Sequence, residues 1–600
     1  MPQNGDGRES RFKRLIDIGI ALSAERDYNR LLENILVEAK NFCNADGGTL
    51  YLMNEDGKSL SFAIMRNDTL GIAMGGTTGK PIPFPPVKMF DDEGTPNQNN
   101  VASLVALTGQ TISIPDAYES KEFDFSGTRK FDAGTGYRSK SFLTVPLKNR
   151  GNEVIGVLQL INARTDENEV IIFTPDIEPL IEALASQAAV ALDNRSLIDA
   201  QVKLFNSFIK VIATAIDAKS PYTGGHCLRV PELTKMLAQA ACDETEGQYA
   251  DFNLTHDEWY ELEVAAGLHD CGKVTTPEYI VDKATKLETI YNRMHEIRTR
   301  FEVLKRDVVI RYLENRIKGE ESEAELRERL DADLAQLDDD FAFVAECNVG
   351  GEFMAPDKVE RLKKIGERTW VRTLDDEMGL SIAELRRYPK DRPKPPVTEF
   401  LLADREEHKI PHEIENALAV GMEEFTLTRP DLHLNLGEVY NLSIARGTLT
   451  NEDRYHINDH IVQTILMLRA LPFPKTLKRV PDLAGNHHEK MDGTGYPRSK
   501  LKDDMTMPER IMAIADIFEA LTAADRPYKP PKTLSESLKI MGFMCKDKHV
   551  DPDLFNLFLT SGVWKQYAER FLRPEQIDEV DINKYLFKPP PPPPPPQPAA

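Results

Sequence analysis

Residues 484–500, AGNHHEKMDGTGYPRSK, set two adjacent histidines, His487 and His488, beside an acid and a glycine-bracketed Tyr496-Pro497. A buried imidazole needs a partner for each ring nitrogen, and a metal ion takes such a nitrogen directly. Taken alone, the pair fits a solvated turn as well as a metal site. Four other stretches carry candidate partners. AAGLHDCGKV ends an apolar helical run on His269 and Asp270, with Gly272 and Lys273 just beyond. SPYTGGHCLRVPEL puts His226 where a helix should begin, and TNEDRYHINDHIVQTIL holds His456 and His460 one helical turn apart. RIMAIADIFEALTAADRPYK places Asp516 inside an otherwise apolar helix. An unpaired buried aspartate costs on the order of several kcal/mol, which a bound cation offsets. Imidazole with carboxylate suits first-row transition metals, and one Asp can bridge two ions through its two oxygens. Five histidines and two aspartates would furnish a binuclear site.

The elements that must position these residues belong to a chain of 600 residues, 41% hydrophobic and 28% charged, which predicts a soluble protein of two or three domains. The start lacks the pattern of a signal peptide and no apolar run approaches a bilayer span, so the expected location is cytoplasmic, with no membrane partner. Six cysteines without C-x-x-C spacing read as free thiols. The net charge of −23 argues against a broad nucleic-acid surface and means that an anionic substrate needs local cations.

Residues 11–195 open with the helical RFKRLIDIGIALSAERDYNRLLENILVEAKNFC and continue through strand-like runs bounded by Gly, Asn, Asp or Pro, an α+β pattern with an antiparallel sheet. The turn IPDA, the strand RSKSFLTVPL and VIGVLQLIN make this part resemble the GAF domain family, a small-molecule sensor fold. Cyclic-nucleotide-binding members carry a signature that Asn162, Phe173, Asp176 and Glu178 echo only in part. The resemblance therefore implies a cyclic nucleotide, another small molecule, or a purely dimerising role.

From 178 to 219 apolar residues recur at helical spacing, at Leu180, Leu184, Ala188, Ala191, Leu204, Phe208 and Ile212. A helix this long without an internal proline is more readily stabilised in a bundle or coiled coil, so it reads as a linker that pairs with a second copy in a homodimer. Leu184, Ala188 and Ala191 are its expected seam; the alternative is that its first turns pack on the GAF sheet. Residues 285–448 read as an α-helical insertion with a Pro-rich loop, RRYPKDRPKPPVTEF, and 588–600 as an extended proline-rich tail.

His226, His269-Asp270 with Lys273, His460, His487-His488, DGTGYP, and Asp516 with DRPYK resemble the HD-GYP family of the HD phosphohydrolase superfamily, bacterial cyclic di-GMP phosphodiesterases. The resemblance implies an all-α domain in two parts, 205–284 and 449–587, with a regulating GAF domain ahead of it. It implies two divalent metal ions, iron or manganese: one on His226, His269, Asp270 and Asp516, the other on His460, His487 and His488, with Asp270 bridging. His460 rather than His456 follows from the family's spacing after Leu449-Thr450, and His295 competes if the insertion starts later. Metal-assisted hydrolysis of cyclic di-GMP to pGpG or GMP would follow. Lys273 would meet the scissile phosphate or the leaving oxygen, Arg526 and Lys529 would clamp the other phosphate, and Tyr496 would shape a lip for a guanine. Tyr222 stands where members with a third metal carry Glu, Ser220 where many carry Asp, and the DRPYK loop is one residue longer than usual. The alternatives are a module that binds cyclic di-GMP or a protein without cleavage, and a hydrolase of another nucleotide.

Overall fold

The computed structural model describes residues 5–219, 225–351, 353–412, 422–524 and 531–588. The chain forms two compact units, Met1–Asn206 and Ser207–Ala600.

In the first unit, α1 (Gly5–Ala24) and α2 (Tyr28–Phe42) are separated at Asp27, whose carboxylate accepts from Arg30 N at 2.8 Å and caps α2. The strands are β1 (Ala45–Met53), β2 (Ser59–Asn67), β3 (Ile72–Gly75), β4 (Val87–Lys88), β5 (Ile112–Ile114), β6 (Phe142–Lys148), β7 (Val154–Arg164) and β8 (Val170–Ile171). They form one antiparallel sheet in the order β3-β2-β1-β7-β6-β5, with β4 on β2 and β8 on β7. Two further helices, α3 (Val101–Thr108) and α4 (Ser126–Thr135), lie among these strands in sequence, and α5 (Glu178–Lys219) follows them.

Side chains alternate across the sheet, as period two requires. Leu50, Leu158 and Leu160 share a core with Leu22 of α1, Ile35 and Leu36 of α2, and Ile181 and Leu184 of α5. Tyr51 and Val157, on the opposite face, pack with Val105 and Phe125. At Gly48 a Cβ would stand 2.8 Å from Leu36 Cδ1 and 2.9 Å from Gln159 O, so only glycine lets α2 sit this close to β1.

This corrects the expected seam of α5. Leu184, Ala188 and Ala191 are buried inside the unit's own core, because α5 is the third helix covering the sheet. The exposed apolar residues lie further along, at Leu197, Ile198, Val202, Leu204, Phe208 and Val211.

The second unit takes in the end of α5 from Ser207 and continues with α6 (His226–Asp243), α7 (His256–Leu268) and α8 (Glu278–Val281). Then come α9 (Met294–Lys318), α10 (Glu323–Val349), α11 (Pro356–Gly366), β9 (Thr369–Arg372), α12 (Ile382–Leu385), β10 (Val397–Phe400), β11 (Lys409–Ile410), β12 (Leu434–Asn435) and α13 (Glu438–Leu442). The chain closes with α14 (Asn451–Arg469), α15 (Val480–Gly485), α16 (Met507–Thr522), α17 (Leu534–Lys546), α18 (Pro552–Thr560) and α19 (Val563–Phe571).

One core joins Val230, Leu233 and Leu237 of α6 to Ile514 and Phe518 of α16 and Phe555 and Phe558 of α18. A separate one joins Ile297 and Phe301 of α9 to Val344, Leu362, Leu401 and Leu442. The stretch read as a helical insertion is helical in its first half, while its second half adds two antiparallel strand pairs, β9 with β10 and β11 with β12. TWVR and VTEF alternate in burial along those strands, a pattern too short to register beside the charged helices around it. The proline tail from 589 lies outside the described residues, and no helix among the described residues is long and apolar enough to cross a membrane.

Because Leu184 is wholly buried, Leu184→Ala should destabilise the first unit by about 2–5 kcal/mol. Ile172→Ala, at a half-exposed position, should stay within about 0.5 kcal/mol. Guanidinium unfolding of the two variants checks the difference, and equal losses would refute the packing of α5 described here.

Candidate metal centre

Each residue of the centre is delivered by a helix end or a helix face. Thr255 and Glu258 close a capping box that starts α7, whose last turn runs through buried apolar residues and exits on His269 and Asp270. Thr450 caps α14, and Asp453 of that cap also holds Lys283 at 2.7 Å, fixing the helix that carries His460. Short α15 ends at Gly485, and His487 and His488 follow. Thr506 and Glu509 start α16, which carries Asp516. His226 is the first residue of α6, after Gly225 at φ 85°, a conformation natural to glycine.

The tightest of these junctions is at Gly272, two residues past Asp270. A Cβ there would fall 1.9 Å from His460 O and 2.5 Å from Thr464 N, and Gly272 N donates to Thr464 Oγ1 at 2.9 Å. The absence of a side chain is what lets the turn carrying Asp270 touch the backbone of α14.

The structure brings His226, His269, Asp270, His460, His487, His488 and Asp516 together. His226 Nε2 stands 3.2 Å from Asp270 Oδ2, 3.3 Å from Asp516 Oδ1 and 3.3 Å from His269 Nε2. His269 Nε2 stands 3.2 Å from the same Asp270 oxygen. The other oxygen, Asp270 Oδ1, faces His460 Nε2 at 3.2 Å. The rings of His460 and His488 are 5.3 Å apart and those of His487 and His488 4.1 Å. Two sets, His226–His269–Asp270 and His460–His487–His488, each offer three ligand atoms within 4.8 Å of one another.

The hydrogen bonds fix which nitrogen of several rings points inward. Nδ1 of His269 donates to Ala266 O and Nδ1 of His487 to Ala484 O, both at 2.7 Å, and Nδ1 of His460 donates to Ile457 O. Nδ1 of His226 is held by Glu519. Nε2 of these rings faces the centre, the arrangement in which an outer partner orients a metal-binding imidazole. Asp270 Oδ1, His460 Nε2 and His487 Nε2 are buried without any hydrogen-bond partner. Three acceptors meeting in a buried space, with no donor among them, fit a cation and little else.

The electrostatics divide in the same way. Burial works against charge on His226, His269, His487 and His488, but the hydrogen bonds that His226 gives to the carboxylates of Asp270, Asp516 and Glu519 overcome it, so its pKa is well above the ordinary value. At His269 the charge of Asp270 likewise overcomes burial and holds the pKa at about 9. Burial and the neighbouring histidines push His487 down to about 4 and His488 far below the ordinary value. Asp270 is held well below the usual carboxylate range by Lys273 and His269, and Asp516 by His226 and His269, in both cases against burial. The carboxylates on one side attract positive charge and burial keeps His487 and His488 on the other side neutral, and both favour a bound cation.

Lys273 Nζ stands 2.5 Å from Asp270 Oδ2, and its pKa is raised because Asp270 and Asp516 outweigh burial. Tyr496 stacks on His488, with ring centroids 4.9 Å apart and planes at 27°, so one face of its ring is already occupied. Its loop is tied down by Glu489, which accepts from Arg498 N at 2.6 Å and Lys500 N at 2.9 Å. His295 lies on the surface of α9 beside Arg298, and His456 meets His433 O at 2.9 Å; neither joins the cluster. Ser220, Tyr222, Arg526 and Lys529 fall outside the described residues.

Sequence reasoning missed Glu519. Its side chain is buried, holds His226 Nδ1 and accepts from Arg229 Nε at 2.7 Å. The signal was its position three residues after Asp516, on the same face of α16.

The first unit holds a cavity of about 580 Å³ whose wall includes Tyr51, Phe62, Arg66, Phe84, Phe142 and Gln159. Asn162 and Phe173 are not among the described residues that line it. Asn162 spends its amide on Lys140 N, Arg138 O and Tyr137 Oη, and Phe173 lies in the helical core.

Residues 27–192 match the family model described as GAF domain, and residues 404–554 the one described as HD domain. The latter span includes His460, His487, His488 and Asp516. The 3'3'-cGAMP-specific phosphodiesterase 1 of Vibrio cholerae is 42% identical over 90 residues, which are 15% of this chain and 20% of that protein. The 3'3'-cGAMP-specific phosphodiesterase 3 of the same organism is 39% identical over 111 residues, 18% of this chain and 23% of that protein. The matches thus span about a fifth of each relative's length. Among solved structures, the GAF domain of an Acinetobacter phosphoenolpyruvate-protein phosphotransferase aligns over 32% of this chain and 98% of its own, at 14% identity and a TM-score of 0.24. The chain carries a GAF domain followed by an HD domain.

Proposed function

We propose that this chain is a metal-dependent phosphodiesterase acting on a cyclic dinucleotide, under the control of its GAF domain. The observation that carries the reading is Asp270, whose two oxygens face two separate sets of imidazole nitrogens. His226, His269, Asp270 and Asp516 would hold one divalent ion, and His460, His487 and His488 the other, with Asp270 between them; iron and manganese suit this nitrogen and carboxylate set. When bound, such a pair supplies Lewis acidity that activates water near neutral pH and offsets charge on phosphorus.

The chain's own residues then have definite tasks. Glu519 and the carbonyls of Ala266, Ile457 and Ala484 keep the histidine protons on Nδ1 and the Nε2 lone pairs aimed inward. Lys273 is cationic and adjoins Asp270, so it is placed to bind a phosphate oxygen or to donate its Nζ proton to the leaving oxygen. Tyr496, fixed against His488, offers its other ring face to a base.

Cyclic di-GMP is the substrate that the HD-GYP-like motifs imply. The two Vibrio cholerae relatives favour a second reading, 3'3'-cGAMP. Rates of hydrolysis of cyclic di-GMP, 3'3'-cGAMP and cyclic AMP by anaerobically purified protein separate these, and failure on both dinucleotides would overturn the proposal. Asp270→Ala should lose both metals and all hydrolysis, whereas His295→Ala keeps both; metal analysis by mass spectrometry reads the outcome. Glu519→Gln, which weakens the hold on His226 Nδ1, should lower metal affinity by about 10–100-fold, and an unchanged affinity would remove Glu519 from the centre.

The protein would work as a homodimer. Leu197, Leu204 and Val211, each more than half exposed, follow one another at seven-residue intervals on α5, the spacing of a two-helix seam. Leu204→Asp should convert the dimer to a monomer in sedimentation experiments, and a wild-type monomer at micromolar concentration would refute the seam.

A further inference from the structure

The last turns of α5 belong to the second unit, which starts at Ser207. Beside the exposed Phe208 and Val211, the same turns bury Ala213, Ile216 and Asp217. Ile209 approaches α7 at Gly267, where a Cβ would stand 3.2 Å from Ile209 Cγ2. Gly267 lies two residues before His269, so α5 packs on the helix end that delivers His269 and Asp270.

Two polar side chains at the end of α5 reach further elements of the centre. Asp217, a buried carboxylate, accepts from Gly225 N at 3.0 Å and from Cys227 N at 3.4 Å, the two amides that flank His226. The residue before His226 is a glycine and has no side chain with which to cap α6. The first amides of a helix need acceptors, and the positive end of its dipole favours an anion; α5 supplies both in one group. Lys219 acts on the other side of the centre. Its Nζ donates to Lys273 O at 3.1 Å and to Val274 O, carbonyls of the short turn that follows Asp270.

We propose that Asp217 and Lys219 are positioning residues of the Asp270 centre. Asp217 fixes His226 through the start of α6, and Lys219 fixes Lys273 through its carbonyl. The inference rests on the function proposed above for that centre and adds the contacts through which α5 acts on it. The helix runs unbroken from Ile181 and Leu184, in the core over the sheet, to Lys219. A rotation of α5 about its axis would therefore shift an acceptor beside His226 and a donor beside Lys273 together, which gives the GAF domain a mechanical hold on both.

Calorimetric titration of the metal-free, full-length chain with Mn(II) tests the first role. Asp217→Ala should raise the Kd of one of the two ions at least about tenfold and that of the other by less. Asp217→Asn keeps an acceptor for the α6 amides and should stay within about threefold of wild type. Equal weakening of both ions in Asp217→Ala, or none, would overturn the role of Asp217. Kinetics test the second role. Lys219→Met should bind Mn(II) as wild type does, yet lower kcat/KM at least about tenfold on whichever of cyclic di-GMP and 3'3'-cGAMP the wild type cleaves. Lys219→Arg, still able to donate to both carbonyls, should recover most of that loss. An unchanged kcat/KM in Lys219→Met would overturn the role of Lys219. A wild type that binds two Mn(II) but cleaves neither dinucleotide would remove the proposed reaction alone, and the titration of Asp217→Ala would still decide whether α5 positions the centre.

Discussion

The second unit is organised around one carboxylate. Asp270 is buried, ionised and faced by imidazole nitrogens on both sides, and one of its oxygens has no hydrogen-bond partner at all. A charge in that position is tolerable only if positive charge is supplied from several directions, and the surrounding elements are arranged to do so. Lys273 comes from the same turn, His226 from the start of α6, and His460 from the middle of α14. Remove the need to compensate Asp270 and there is no reason for five separate helices to deliver polar side chains into one apolar bundle.

Convergence of this kind places strict demands on backbone geometry. The turn after α7 must touch α14, and at Gly272 the approach leaves no room for a β-carbon. The helices must also start in defined places, because a slip of one residue rotates a side chain by about 100°. Capping boxes at Thr255, Thr450 and Thr506 set three of those starts, the last two about three turns before His460 and Asp516 and the first at the opposite end of the helix that leads to His269. The outer partners of the histidines then remove the last freedom, ring rotation and tautomer.

The stretch from 285 to 448 is more than a spacer. Its α9 and α10 build their own core, and Thr426 beyond them meets the loop of Tyr496, donating to Pro497 O at 2.7 Å while Glu424 pairs with Arg498 at 2.9 Å. This stretch is therefore in direct contact with the loop that presses Tyr496 on His488. The long helix α5 divides its labour: its early apolar residues complete the core over the sheet of the first unit, and Leu197, Leu204 and Val211 further along are exposed.

Residue type and spacing marked the histidines and aspartates as candidates, because buried imidazoles and a lone acid in an apolar helix demand compensation wherever the chain takes them, while the choice of His460 over His456 came from the resemblance to the HD-GYP family. The alternating strands and the long helix from 178 to 219 were legible because hydrophobic period is local. Pairwise distances were not local. That the oxygens of Asp270 look in opposite directions, that Glu519 steadies His226, and that Asn162 is spent on backbone groups rather than on a cavity all depend on contacts between residues far apart in the chain. The same holds for Leu184, Ala188 and Ala191: an apolar stripe records that a helix face must be covered, and only the tertiary structure decides whether its own sheet or another chain covers it.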